Sequence, residues 1–186
     1  MQTSKGKLYV ISGPSGVGKG TVVKALLEQM PDLMMSVSVT TRQPREGEIH
    51  GKHYFFTDRA HFLKMREENK FLESAEHYGI LYGTPKEFVE KMLREGKNVL
   101  LEIDTEGAFQ VKAKMPECVL IFLSFPSMEV LHDRLAKRGT ETEEVQQIRL
   151  AKAVKEYEQR TRFDYIVAND ILSETIEKVA AIFRLK

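Results

Sequence analysis

Four stretches of the chain are apolar at nearly every position: Leu8 to Ser12, Asn98 to Asp104, Val119 to Phe125 and Tyr165 to Ala168. A strand with one wet face alternates apolar and polar residues, whereas a strand covered on both faces runs apolar throughout. The pattern predicts a parallel sheet with helices on both faces. Apolar positions recur at helical spacing between these runs. They cover Thr21 to Met30 before Pro31, Glu106 to Met115 before Pro116, Met128 to Arg138 before Gly139, and Glu174 to Leu185. Strand alternating with helix is the sequence form of an α/β fold.

Residues 36 to 95 break this rhythm. Ser36 to Thr41 alternates with small polar residues, Arg42 to His53 is dense in charge and glycine, and Tyr54 to Phe56 and Phe71 to Ala75 read as short strands. An inserted, partly antiparallel subdomain is expected here. At its exit Thr84, Pro85 and Glu87 stand at N-cap, first-turn and capping-box positions of a helix ending before Gly96. A second insertion is expected at Arg138 to Glu144, a polar link between two helices with the composition of a mobile flap.

With 186 residues, 42% of them hydrophobic, the chain has the material for one compact core. Lys and Arg number 28 against 27 Asp and Glu, a formal charge of +1, so no global field argues for nucleic acid or an anionic membrane. Any bound anion must be held locally. Cys118 lies in an apolar run and reads as a buried, inert thiol, which suits a reducing compartment. No apolar stretch approaches the roughly 20 residues of a membrane span. A cytoplasmic protein is expected, with no membrane and no nucleic-acid partner; its oligomeric state, monomer or homo-oligomer, is not legible.

The strongest local signal is Gly13-Pro14-Ser15-Gly16-Val17-Gly18-Lys19-Gly20-Thr21, which follows the first strand and opens the first helix. Glycines let backbone N–H groups curl round an anion, the helix N-terminus adds partial positive charge, and the lysine reaches the transferring phosphate. Such a loop cradles the phosphates of a nucleotide. One position departs from the usual pattern. Gly20 stands where a hydroxyl that ligates Mg2+ is normal. Either Thr21 takes over that role one residue on, or the ion keeps water there.

A phosphate cradle alone leaves ATPase, GTPase and kinase open. In the inserted segment Arg42 and Arg45 flank Pro44, and paired guanidinium forks suit a phosphate monoester. Taken alone, two solvated arginines are the commoner reading. Their company in one subdomain, Glu48, Tyr54, Glu73, Tyr82 and Thr84, weighs against it. The strand from Asn98 ends in Glu102 and Asp104, where open α/β sheets present ligand-facing residues.

From end to end the chain resembles the guanylate kinases. The resemblance rests on the Gly13 to Thr21 loop; on Arg42, Pro44, Arg45, Gly47, Glu48, Gly51 and Tyr54; on Tyr82-Gly83; on Glu102 to Gly107; and on Arg138-Gly139-Thr140-Glu141-Thr142-Glu143. It implies a P-loop core over residues 1–35, 96–126 and 160–186, a mixed GMP-binding subdomain over 36–95, and a lid with flanking helices over 127–159. It also implies reversible phosphoryl transfer from ATP to GMP with Mg2+, giving ADP and GDP, with dGMP as a further acceptor.

Carried over residue by residue, the resemblance puts Arg42, Arg45, Tyr54 and Tyr82 round the GMP phosphate, with Glu48 orienting the arginines. Ser38, Glu73 and Thr84 face the guanine base. A carboxylate accepts from both the ring N–H and the amino group of guanine while a hydroxyl donates to its carbonyl, a match adenine lacks. Asp104 lies between donor and acceptor, near GMP and the Mg2+ shell, and Glu102 stands where aspartate is frequent. Arg138 and Arg149 close on the phosphates, Arg134 flanks the adenine, and Asn169 contacts adenine or simply forms a turn. Read singly, Tyr54 and Tyr82 are ordinary strand aromatics, and Glu48 and Glu73 ordinary surface acids. Two rivals remain. One is a catalytically silent binding module, which tends to have an eroded phosphate loop, and the other a related kinase with another phosphate acceptor. A regulatory GTPase would need a guanine-reading motif on the donor side, and the sequence has none.

Overall fold

The computed structural model describes residues 5–127, 129–131 and 143–185. In chain order the described elements are β1 (Leu8–Ser12), α1 (Lys19–Gln29), β2 (Met34–Met35), β3 (Val39–Thr40), β4 (Phe55–Phe56) and α2 (Arg59–Glu67). β5 (Phe71–His77), β6 (Ile80–Pro85), α3 (Lys86–Arg94), β7 (Val99–Glu102), α4 (Thr105–Lys114) and β8 (Val119–Ser124) follow. The chain closes with α5 (Glu143–Glu158), a 3-10 turn (Gln159–Arg162), β9 (Tyr165–Ala168) and α6 (Leu172–Arg184). The strand orders are β2-β7-β1-β8-β9 in a five-stranded sheet and β4-β3-β6-β5 in a four-stranded one. The chain divides into two compact units.

One unit comprises Tyr9–Pro31, Glu102–Thr105 and Val119–Lys186. β1 runs parallel to β8 in the register Tyr9↔Val119 to Ser12↔Phe122, and β8 parallel to β9 from Ile121↔Tyr165 to Ser124↔Ala168. The apolar runs are the reason: Val10, Ile11 and Leu120 to Leu123 are all fully buried. β9 differs from expectation. Tyr165, Ile166 and Ala168 are exposed and only Val167 is buried, because this strand lies at the sheet edge. α1 packs on α6 through Val22, Val23 and Leu26 on one helix and Ile176, Val179, Ala180 and Phe183 on the other. Tyr9 joins them, its ring edge-on to Phe183 and its hydroxyl donating to the Phe183 carbonyl at 3.3 Å.

The other unit comprises Met1–Leu8, Asp32–Leu101 and Glu106–Cys118. β2 pairs parallel with β7, Met34 opposite Val99. β5 and β6 form an antiparallel hairpin closed by Tyr78 and Gly79, with φ of 52° and 78°. Two successive left-handed residues make the tight turn whose twist suits a two-residue hairpin. β6 also pairs antiparallel with β3, and β3 parallel with β4. The core here is Val39, Phe62, Phe71 and Leu81, with Phe62 stacked on Phe71 at 4.6 Å. Phe62 belongs to α2, a helix the sequence pattern does not announce because eight of its nine residues are not buried. Asp58 starts it by accepting from the His61 N–H at 2.8 Å.

β5 is the edge of the four-stranded sheet, and side chains of α4 cover it. The Gln110 amide accepts from the Ser74 N–H and donates to the Ser74 carbonyl, both at 3.1 Å. The Lys114 ammonium donates to the Phe71 carbonyl at 3.0 Å. An open strand edge is a pairing hazard, and here the polar groups are spent within the unit.

Replacing Phe62 with alanine empties the centre of this small core, and a loss of about 3–5 kcal/mol of stability is expected. Urea unfolding of Phe62→Ala against the parent protein, followed by circular dichroism, measures it. A loss under about 1 kcal/mol would mean that α2 is not what holds the four-stranded sheet.

Candidate active site

Gly13 follows β1 directly and has φ 147°, and a Cβ on it would stand 2.3 Å from the Leu123 carbonyl oxygen of β8. Only glycine fits there. Gly18 caps α1 in the left-handed region, φ 95°, and a Cβ on it would meet the Asn169 amide at 2.7 Å. That amide donates to the Val17 carbonyl at 2.7 Å, while the Asn169 N–H donates to Ser124 at 2.8 Å. Asn169 thus ties the end of β8 to the glycine loop.

Lys19, the first residue of α1, donates to the carbonyls of Gly13 at 2.5 Å and Pro14 at 3.2 Å. Burial pushes its ammonium below the usual lysine range, Glu156, Glu102 and Asp104 pull it back up, and Lys152 pushes it down again. Glu156 is the site residue that sequence reasoning missed. It is buried on α5, acts on Lys19 through its charge, and lies 3.9 Å from the Lys152 ammonium. Burial raises its carboxyl and that of Glu102. A signal existed in the sequence: Glu156 follows the buried Ala153 by three residues and so shares its helix face. Ser15 and Gly16 form the partly buried turn of the loop, Thr21 is exposed in the first turn of α1, and Asp104 is half-buried between β7 and α4.

The second set of residues lies in the other unit. The Arg42 guanidinium donates to Glu48 at 2.7 Å, and the second oxygen of Glu48 accepts from the Arg45 N–H at 2.7 Å. One carboxylate therefore fixes both arginines, one by its side chain and one by its backbone. These two bonds hold the Glu48 carboxyl at about 2. Arg42 also lies 5.4 Å from the centre of the Tyr54 ring and 5.9 Å from that of Phe56. Tyr54 and Tyr82 meet edge-on at 6.1 Å.

Glu73 and Thr84 face each other across the β5–β6 hairpin, next to a bulge between Phe71 and Glu73. The Thr84 hydroxyl donates to the Glu73 carboxylate at 2.6 Å, with exposures of 1% and 3%. This revises the expectation for Thr84: the residue that caps α3 is Pro85, without a side-chain bond, because the threonine hydroxyl is engaged by Glu73. Ser38 is half-buried just before β3. Gln110, which clamps Ser74 beside Glu73, was not foreseen either. Arg134 and Arg138 lie outside the described residues, as does the side chain of Arg149, whose backbone belongs to α5.

A glycine loop closed by a lysine at the end of a parallel strand defines a P-loop nucleotide-binding α/β protein. A shikimate kinase structure from Bacteroides thetaiotaomicron shares this fold alone, at a TM-score of 0.50 and 12% identity over 96% of this chain and 99% of that one. A family model described as guanylate kinase matches residues 5–186. A guanylate kinase of Caldanaerobacter subterraneus subsp. tengcongensis is 53% identical over 178 residues, which is 96% of this chain and 86% of that one. The crystal structure of guanylate kinase from Anaplasma phagocytophilum aligns at a TM-score of 0.79 and 36% identity, covering 99% and 87%. The chain belongs to the guanylate kinase family, and its activity is that of a nucleoside monophosphate kinase.

A carboxylate held low by partners loses their contribution when it is protonated. The Glu48 bonds contribute fully above the ordinary carboxylate pKa, and that contribution fades as pH falls from there toward about 2. Carbon-detected NMR of the Glu48 carboxyl is expected to show a midpoint of about 2. In Arg42→Met the midpoint is expected to rise toward the ordinary value, about 4.3. An unmoved midpoint would show that Arg42 is not what holds Glu48.

Proposed function

We propose that this chain carries the terminal phosphoryl group of ATP to GMP or dGMP, reversibly, as a cytoplasmic step of purine nucleotide metabolism. The observation that carries this reading is the buried Glu73–Thr84 pair, in the same unit as the Arg42–Glu48–Arg45 cluster. A carboxylate and a hydroxyl side by side match the N–H, amino and carbonyl pattern of guanine, and arginine forks beside tyrosines match a phosphate monoester. We assign the domains as before: residues 36–95 take GMP, residues 1–35, 96–126 and 160–186 form the nucleotide-binding core, and 127–159 act as lid. Among the described residues no helix is long and apolar enough to cross a membrane.

The phosphate of GMP is already an anionic nucleophile, so the transfer needs alignment and positive charge rather than a strong base. Arg42, Arg45, Tyr54 and Tyr82 hold the GMP phosphate, and Glu48 keeps Arg42 from wandering. Ser38, Glu73 and Thr84 read the base. Backbone N–H groups of the Gly13 to Thr21 loop, Pro14 excepted, take the ATP phosphates, and Lys19 turns from the loop carbonyls to the moving group. Arg138 and Arg149 add charge to that group, and Arg134 and Asn169 stand by the adenine.

Among the described residues no cluster of three or more His, Cys, Asp and Glu is arranged to grip a metal. The oxygen donors present at Thr21 and Asp104 suit Mg2+, which keeps several waters and binds through one or two protein oxygens together with substrate phosphates. Those two residues would hold it, directly or through water. When bound, Mg2+ neutralises charge on the phosphate oxygens.

Purified protein is to be offered ATP and Mg2+ with GMP, dGMP, AMP, CMP or UMP in turn, and ADP release followed. Turnover with GMP and dGMP alone is expected; turnover with none would favour a binding module. Lys19→Met is expected to lower kcat by about 10²- to 10³-fold with the fold intact, a loss typical of removing one transition-state charge contact. Retained turnover would remove Lys19 from the reaction.

A further inference from the structure

Phe71 and Glu73 stand two apart on β5, and in a regular strand such residues share a face. Here they do not. A Cβ on Gly83 would stand 2.8 Å from Phe71 Cδ1, so the Phe71 ring covers the face that Gly83 presents. Thr84, the next residue of β6, points to the other face, and Glu73 pairs with it and accepts its hydroxyl at 2.6 Å. The bulge makes the difference. Phe71 pairs with Pro85 and Glu73 with Thr84, which leaves Leu72 as one residue too many for the ladder. Phe71 therefore stays in the apolar core with Val39, Phe62 and Leu81 while Glu73 carries its carboxylate to the opposite face.

A bulge interrupts the ladder, so its backbone groups need partners from elsewhere. β5 is the sheet edge, and α4 provides them. On one side of the bulge Lys114 donates to the Phe71 carbonyl at 3.0 Å. On the other, Gln110 accepts from the Ser74 N–H and donates to the Ser74 carbonyl, each at 3.1 Å. The two side chains are four residues apart on α4 and share one of its faces. All these residues belong to one unit. A charge or a proline is enough to blunt an exposed edge. An amide bonded both ways to one residue also sets where that residue sits, and Ser74 is the immediate neighbour of Glu73.

We propose that Gln110 is a positioning residue for recognition of the base of the phosphate acceptor: by holding Ser74 it sets the place of the Glu73 carboxylate, and with it the preference for a purine that carries an amino group beside its ring N–H. This deepens the reading of Glu73 and Thr84 as the guanine-facing pair and rests on it. A carboxylate meets the ring N–H and the amino group together only when both of its oxygens are in line. IMP lacks the amino group and asks for one oxygen alone. A site built for a hydrogen-bonding group rejects an analogue without it, because a buried acceptor is left unpaired. A displaced carboxylate loses that discrimination.

The test reads the ratio of kcat/KM for GMP to that for IMP, with ATP and Mg2+ saturating. Gln110→Met keeps the length of the side chain and removes both bonds to Ser74, and the ratio is expected to fall at least about tenfold, since small misplacements of a binding group are costly. Gln110→Glu keeps the acceptor for the Ser74 N–H but sets a second acceptor against the carbonyl; the ratio is expected to fall here too, and this variant carries the test if Gln110→Met does not fold. Glu73→Gln gives the scale of a carboxylate lost outright, and adding Gln110→Met to it is expected to change the ratio by less than about twofold more. Thermal midpoints show which proteins are folded. An unchanged ratio in either folded Gln110 variant would overturn the proposal and leave Gln110 as a cover for the strand edge, whatever the thermal midpoint does. So would an equal fall with and without Glu73→Gln, since Gln110 would then act elsewhere. If Glu73→Gln itself leaves the parent ratio unchanged, the base-reading role of Glu73 has failed, and the proposal falls with it.

Discussion

A loop that takes phosphate must keep its backbone N–H groups converging on one point, and such a loop has no helix or strand of its own to hold it. In this chain neighbouring elements hold it. The Leu123 carbonyl crowds Gly13, and the Asn169 amide grips Val17. Lys19 closes the set by bonding the carbonyls of Gly13 and Pro14. The parallel run of β1, β8 and β9 makes this possible, because parallel strands bring their carboxyl ends to one edge of the sheet. The cradle is thus a product of strand direction as much as of glycine.

The two units solve the same electrostatic problem with opposite signs. Glu48 is an accessible carboxylate with two donors, so bonding wins over desolvation and its charge is secured. Glu102 and Glu156 are more deeply placed, and desolvation wins, so both carboxyls rise. The arginine cluster is thereby held in place, with a fixed guanidinium. The lysine site balances burial against several opposing charges instead. Placing the buried hydroxyl of Thr84 on Glu73 follows a third course, in which a neutral donor satisfies a carboxylate without adding charge.

What could be read along the chain was what local chemistry dictates. Continuous apolarity marked β1, β7 and β8, because burial on both faces leaves no room for alternation; it marked β9 too, although only Val167 of that strand is buried. The spacing of glycines before Lys19 marked the phosphate loop, because left-handed backbone admits few other residues. α2 stayed hidden, since Phe62 is its one buried residue and Leu63 and Met65, which also pack on the core, are only partly buried. Thr84 was misjudged as a helix cap because its rival partner, Glu73, lies across a hairpin and not along the helix.

By itself, then, the sequence determined the α/β alternation, the cradle and the residue types that suit phosphate and guanine, all of which depend on near neighbours. Tertiary structure alone decided which groups hold those residues in place: Asn169 on the loop, Gln110 on the strand edge, Glu156 beside Lys19, and Glu102 over the open face of Gly20. Each is a contact between residues at least 36 positions apart. Side chains of such separation meet only when the strands and helices that carry them have packed, and hydrogen-bond and charge partners are chosen at that stage.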